Sequence, residues 1–216
     1  LHWTVTNAGE NVALGSWRDR IYLSPDGALT GATLLAQHYR SESLAPGASY
    51  DVAETDQLSF SAAEGAFWLV VVTDFLDDVY EGSSEGNNSL VSSVPVVVGH
   101  PDLVPALLNP PAEAFAGREI TIQWNTANIG TAATIAGWVD RVYLSADNQF
   151  SESDPKLGDV IHSGPLAAGE QVTGQLQVTL DRNLAGTFYL FLMADAAYNV
   201  WERVENEGAT NRVMVP

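Results

Sequence analysis

The 216-residue chain contains no cysteine. A disulfide framework, a thiol nucleophile and a zinc–thiolate site are therefore excluded. Cations are scarce: Lys156 is the only lysine, and Lys+Arg total 9 against 27 Asp+Glu, a formal charge of −18. Such a chain lacks the clustered positive charge that grips a nucleic-acid backbone, and anionic lipid repels it. No apolar run reaches the roughly 18 residues needed for a membrane-spanning helix. Nor does any stretch carry the 3.6-residue stripe with caps that marks an amphipathic helix. Catalytic signatures are missing too: there is no His-Glu-x-x-His, Gly-x-Ser-x-Gly, Gly-x-Gly-x-x-Gly or phosphate loop. His2, His38, His100 and His162 are scattered. The sequence thus points away from an enzyme.

What the chain does have is apolar content and an internal repeat. Hydrophobic residues make up 46%, enough to bury a core. Trp3 to Gly9 (WTVTNAG) recurs as Trp124 to Gly130 (WNTANIG), and Trp17 to Ser24 (WRDRIYLS) recurs as Trp138 to Ser145 (WVDRVYLS), both at an offset of 121 residues. Leu44 to Gly47 matches Leu166 to Gly169, Phe67 to Asp74 matches Phe188 to Asp195, and Val79 to Glu81 matches Val200 to Glu202. Landmarks in one order, twice over, define two copies of one unit, 1–98 and 99–216. The acid is shared, with 13 acidic residues against 3 basic in the first part and 14 against 6 in the second. The second copy carries a segment from Asp102 to Ile122 ahead of its tryptophan, whereas Trp3 is preceded by two residues. The first copy is therefore expected to lack its N-terminal strand, and the start reads as a cut inside a longer chain.

The periodicity is that of strands. Ile120 to Trp124 and Leu176 to Leu180 alternate apolar and polar, which places one face inside and one in water. Phe67 to Val72 is apolar throughout, as for a central strand covered on both faces. Turn signals such as Pro25-Asp26-Gly27 and Ala168-Gly169 separate the runs. The expectation is an all-β protein of two tandem antiparallel sandwiches with about seven strands each, joined by a short linker over 93–104. Trp3 and Trp124 should fill the gap between sheets.

These motifs together resemble the CARDB family, the cell adhesion related domain found in bacteria. The family's Trp strand ending in Asn-x-Gly, its Trp-x-Asp-x-(Val/Ile)-Tyr-Leu-Ser run, its Leu-x-x-Gly turn, its aromatic strand ending in Ala-Asp and its Val-x-Glu with an acidic, Asn-bearing segment are matched at Trp124–Gly130, Trp138–Ser145, Leu166–Gly169, Phe188–Asp195 and Val200–Asn211. Copy one keeps the set, with Thr73-Asp74 in place of Ala-Asp. The resemblance implies an immunoglobulin-like fold, export to the cell surface or beyond, and a spacer or adhesion role. The implied partners are neighbouring domains and a surface protein or glycan. The rival reading is a glycan-binding accessory module of a secreted hydrolase.

Three constellations are candidates for binding. The loop carrying Asp147, Glu152 and Asp154 offers several oxygens to Ca²⁺, or else closes as a hairpin with an Asx-turn at Asp147. After the aromatic strand, Asp74, Asp77, Asp78, Glu81 and Glu85 face a counterpart set of Asp195, Glu202, Glu205 and Glu207. Such clusters repel unless a cation or backbone N–H groups offset them. Trp17 and Trp138 would stack on sugar rings if exposed and would serve the core if buried. Asp19 and Asp140 precede Arg20 and Arg141, and neighbours on a strand point to opposite faces. Asp and Arg are therefore not expected to pair with each other, and one of the two is expected to bond a neighbouring loop.

Overall fold

The computed structural model describes residues 1–55, 58, 63–202 and 212–215. The chain divides into two compact units, Leu1–Val98 and Gly99–Pro216. Among the described residues the architecture is all-β, apart from one 3₁₀ turn at Gly82–Asn87. Among the described residues no helix is long and apolar enough to cross a membrane.

Unit 1 contains β1 (His2–Thr6), β2 (Trp17–Ser24), β3 (Thr33–Arg40), β4 (Ser49–Ala53), β5 (Gly65–Val72), β6 (Ser89–Val91) and β7 (Val96–Val98). Strands β1 and β4 form one sheet, and the other runs β3-β2-β5-β6, with β7 also pairing β5. Unit 2 contains β8 (Leu103–Leu108), β9 (Glu119–Asn128), β10 (Trp138–Ser145), β11 (Lys156–His162), β12 (Gln171–Thr179), β13 (Tyr189–Met193) and β14 (Arg212–Val215). Its sheets run β12-β9-β8 and β11-β10-β13-β14. All pairings are antiparallel. From β1 to β6 the pairing follows that from β9 to β14, down to a register shift at Ile21/Tyr22 that has its twin at Val142/Tyr143. The smaller sheet has three strands in unit 2 and, among the described residues, two in unit 1.

Alternation explains the layers. Along β9 every second residue from Ile122 to Asn128 is buried. From the facing sheet, Val142, Leu144, Leu190 and Leu192 meet Ile122 and Trp124 to close one core. In unit 1, Trp3 and Val52 of the small sheet meet Ile21 of the large one. Both tryptophans therefore fill the inter-sheet gap. Removing this apolar surface from water is the main favourable term, at about 25 cal/mol per Å².

Two expectations change. β5 is central in its sheet, yet only Val70 is buried and the other apolar residues of the run are half-buried. Flanking strands shade a central strand from the side, so an all-apolar run does not require a layer on each face. The stretch 93–104 is not linker throughout: Val96–Val98 pairs with Gly65–Phe67, and β8 begins at Leu103. Its β-branched run finds a ladder to complete.

Candidate functional site

A buried carboxylate with four polar contacts lies between the sheets of unit 2. Asp140 points inward from β10 and is fully buried. Its Oδ2 accepts from Trp124 Nε1 at 2.6 Å and Thr126 Oγ1 at 2.7 Å, and it contacts His162 Nε2 at 2.8 Å. Its Oδ1 accepts from Trp138 Nε1 at 2.9 Å. The His162 ring stacks on Trp138 at 4.8 Å between centroids. One carboxylate thus joins β9, β10 and β11 across both sheets. A buried carboxylate is tolerated when every lone pair is engaged.

Unit 1 builds the same hub from other donors. Asp19 is also fully buried. It accepts from Tyr50 Oη at 2.6 Å, Thr73 Oγ1 at 2.7 Å and Trp3 Nε1 at 3.4 Å. Trp17 Nε1 reaches it indirectly, donating to Tyr50 Oη at 2.9 Å. The threonine hydroxyl comes from the residue after β5 instead of from the tryptophan strand. Burial first, then the bond to Asp19, push the Tyr50 hydroxyl up, so it stays a neutral donor. Where His162 stacks on Trp138, Arg40 lies over Trp17 and Tyr50, its guanidinium carbon 5.5 and 4.2 Å from the two ring centroids. The aspartates therefore bond ring and hydroxyl donors, all on strands except Thr73 in the loop after β5. Arg141 points the other way and pairs with Asp159, Nε to Oδ1 at 2.7 Å. Sequence reading picked out Asp19 and Asp140 but missed His162, Arg40 and Tyr50, which share no landmark of the repeat.

Trp17 and Trp138 are 3% and 2% exposed. Neither ring face is open to a sugar, so a stacking role is corrected to a core role. The apolar cluster around Trp138 holds Leu103, Leu166, Ala194 and Val200, and that around Trp17 holds Leu44 and Val79.

The loop carboxylates mostly serve backbone donors. Asp147 Oδ1 accepts Gln149 N at 2.8 Å, an Asx-turn. Asp154 accepts Ser145 Oγ at 3.1 Å and Ser151 N at 2.8 Å. Glu152 turns away to a cavity of about 260 Å³ that it lines with Arg141, Tyr143, Phe150, Tyr198 and Arg212. Asp74 and Asp195 sit in the left-handed region at φ 45. Asp74 accepts Asp78 N and Val79 N at 2.9 and 2.8 Å, and Asp195 accepts Asn199 N and Val200 N at the same distances. Glu202 is buried and accepts the Leu103 amide at 2.7 Å. Asp77 and Asp78 are exposed, and Glu81 is half-buried. Glu205, Glu207 and Asn211 lie outside the described residues. Among the described residues, no three His, Asp or Glu side chains are grouped so as to hold a metal ion.

Charge and burial set a pH dependence. Burial pushes the Asp195, Glu81 and Asp102 carboxyls up, with Glu85, Asp74 and Asp77 adding to the rise at Glu81. Such groups hold protons more tightly when folded, so stability is lost as pH rises through their folded values and regained towards the ordinary carboxylate range. Asp159 acts oppositely: its bond to Arg141 lowers it, and its contribution goes only when pH falls through that lowered value. Relief of self-repulsion at a charge of −18 has the first sign. The thermal midpoint at low salt should therefore be higher near pH 5 than near pH 7.5, with a smaller gap in about 0.5 M salt. A midpoint that falls steadily on acidification would contradict this assignment.

Comparison with known proteins bears on one half of the chain most directly. The CARDB family model matches residues 100–212. No curated protein sequence matches the chain. Among solved structures, the CARDB domain of a Pyrococcus furiosus protein, determined in complex with di-metal ions, is 16% identical, with 53% of this chain and 84% of that one covered at a TM-score of 0.40. A sporulation control protein from Bacillus subtilis is 14% identical over 45% of this chain and 42% of its own, with a TM-score of 0.29. Red sea bream transglutaminase is 12% identical over 90% of this chain and 26% of its own, also at 0.29.

Proposed function

The chain belongs to the CARDB family, a family of modular, adhesion-related domains, and from that premise we propose that it is a non-catalytic spacer and adhesion segment of a larger exported surface protein. We read unit 1 as a second CARDB unit. The observation that carries the proposal is where the polar side chains go. Asp19, Asp140, Asp74, Asp195, Asp154 and Glu202 all turn to donors of the fold itself. They rigidify loops and sheets without a disulfide, as a load-carrying module requires, and offer no nucleophile–base pair to a substrate.

Calcium is an addition to this reading rather than its basis, because backbone N–H groups meet Asp74, Asp147, Asp154 and Asp195. Stretched between handles at its two ends, the chain should give two separate unfolding events with length increments matching Leu1–Val98 and Gly99–Pro216. Their forces should be the same in millimolar Ca²⁺ and in chelator. Featureless extension at low force would refute the spacer reading, and a force drop in chelator would restore the metal to the loop at Asp147, Glu152 and Asp154.

A further inference from the structure

The cavity beside Glu152 lies on the outer face of the sheet β11-β10-β13-β14. Arg141 and Tyr143, which line it, alternate along β10 with the core residues Val142 and Leu144. Phe150 lines it from the loop after β10. That ring is held edge-on by Tyr143 and Phe191, at 5.0 and 5.8 Å between centroids. The guanidinium carbon of Arg212, on β14, lies 4.4 Å from the Phe150 centroid. Such stacking uses the face of a guanidinium and leaves its N–H edge for a ligand. Among the described residues no carboxylate lies within ion-pair distance of Arg212.

Unit 1 shows the same place closed. Phe75 stands where Ala196 stands: each follows a left-handed aspartate, and their amides donate to Arg18 O and Val139 O at 3.0 and 2.8 Å. The Phe75 centroid is 3.9 Å from the Arg20 guanidinium carbon and 6.1 Å from the Tyr22 ring. Arg20 and Tyr22 are the counterparts of Arg141 and Tyr143 in the repeat. The phenylalanine ring thus takes the room that the smaller Ala196 leaves open. The second guanidinium is absent as well: Arg212 pairs with Met193, and at the matching place Ser89 pairs with Val72. Tyr198 and Asp77 share left-handed backbone, at φ 54 and 59. An aspartate tolerates that region, but a bulky side chain is strained there. Tyr198 is nonetheless 64% exposed at the cavity, so packing does not repay the strain. A strained, exposed aromatic on a cavity with a cation points to a ligand.

We propose that this cavity binds one carboxylate-bearing sugar ring, a hexuronate unit of an acidic glycan. The N–H edge of Arg212 takes the carboxylate, since a guanidinium matches its two oxygens. Glu152 only accepts hydrogen bonds, so it calls for a ligand that also brings hydroxyl donors. A bare carboxylate would be repelled there, whereas a sugar supplies both groups on one ring. The aromatic rings of Phe150 and Tyr198 offer an amphipathic wall to the ring's apolar face. About 260 Å³ lies just below the usual range for ligand pockets, which suits a single ring. The net charge of −18 does not forbid an anion here. At about 0.15 M salt, exposed charges beyond roughly 8 Å are largely screened, and around this cavity Arg141, Lys156 and Arg212 stand against Asp159 and Glu152. The site gives the adhesion role a ligand class, and it rests on that reading.

The test titrates a tetramer of galacturonic acid, and the methyl ester of that tetramer, into the intact chain by calorimetry. The acid should bind saturably. The ester keeps the rings and loses the charge, so it should bind at least about tenfold more weakly. Ala196→Phe and Arg212→Ser each copy into unit 2 the residue of unit 1, and each should weaken binding of the acid at least about tenfold. Thermal melts confirm that the variants stay folded, and the ester comparison needs no variant at all. No saturable binding of the acid, equal binding of the ester, or full affinity in both folded variants would overturn the proposal. So would an acidic peptide that binds the cavity while the sugar does not. The spacer reading is decided separately, because the two unfolding events under load are present or absent whatever the sugar does.

Discussion

Replacing Asp140 with alanine is expected to remove about 3–5 kcal/mol from unit 2, enough to abolish its cooperative transition near body temperature. The change strands the indole N–H groups of Trp124 and Trp138, the Thr126 hydroxyl and a His162 nitrogen, all in a site with little or no solvent. Each orphaned buried donor costs on the order of 1–3 kcal/mol, and the terms overlap because the groups share one cavity. Asp19→Ala should cost less: the buried hub of unit 1 has three direct donors, and one of them stands at 3.4 Å. Denaturant melts of the two variants, followed by exchange at amides assigned to each unit, check both the size and the location of the loss. Near-equal, sub-kilocalorie losses would mean that water satisfies the donors and that the hub is not what joins the sheets.

Trp124→Ala is expected to cost about 3–5 kcal/mol, through lost burial, a cavity and one unmade bond at Asp140. The indole is fully buried and lies against β12 at Gly174, its cross-strand partner. A Cβ at Gly174 would stand 2.2 Å from the indole Cε2 and 2.5 Å from Nε1. The glycine is therefore required by the ring. Gly174→Ala alone should cost about 1–3 kcal/mol, because the ring must leave its place on Asp140. Unit 1 shows this trade in natural form: Val52 pairs with Trp3, and the Trp3 bond to Asp19 lengthens to 3.4 Å. In a Trp124→Ala background the Gly174→Ala cost should fall close to zero or reverse. A double-mutant cycle measures this directly. A glycine penalty that persists without the tryptophan would place its origin in the backbone instead.

Some of this was legible in the chain and some was not. The strands were, because period-two alternation such as Ile120 to Trp124 is a local property that a strand converts directly into an inside and an outside. So was the repeat, since Trp17 to Ser24 and Trp138 to Ser145 can be set against each other without coordinates. Asp19 and Asp140 stood out because the same motif carries both. Their partners were hidden: Tyr50 and Thr73, or Thr126 and His162, lie 14 to 54 residues away in sequence. Nothing in composition says which donors face one carboxylate across two sheets. The acidic loops stayed open between a cation and backbone donors for the same reason. Charge counts reveal repulsion, but only the left-handed turn at Asp74 and Asp195 aims backbone N–H groups at the carboxylates and relieves it. Likewise, Trp17 and Trp138 could be read as surface or core until the packing of Leu44, Leu166 and their neighbours closed over them. Periodicity along one strand is set by the chain itself. Which groups meet between strands is set by how distant segments pack, and that is decided only when the sheets close on each other.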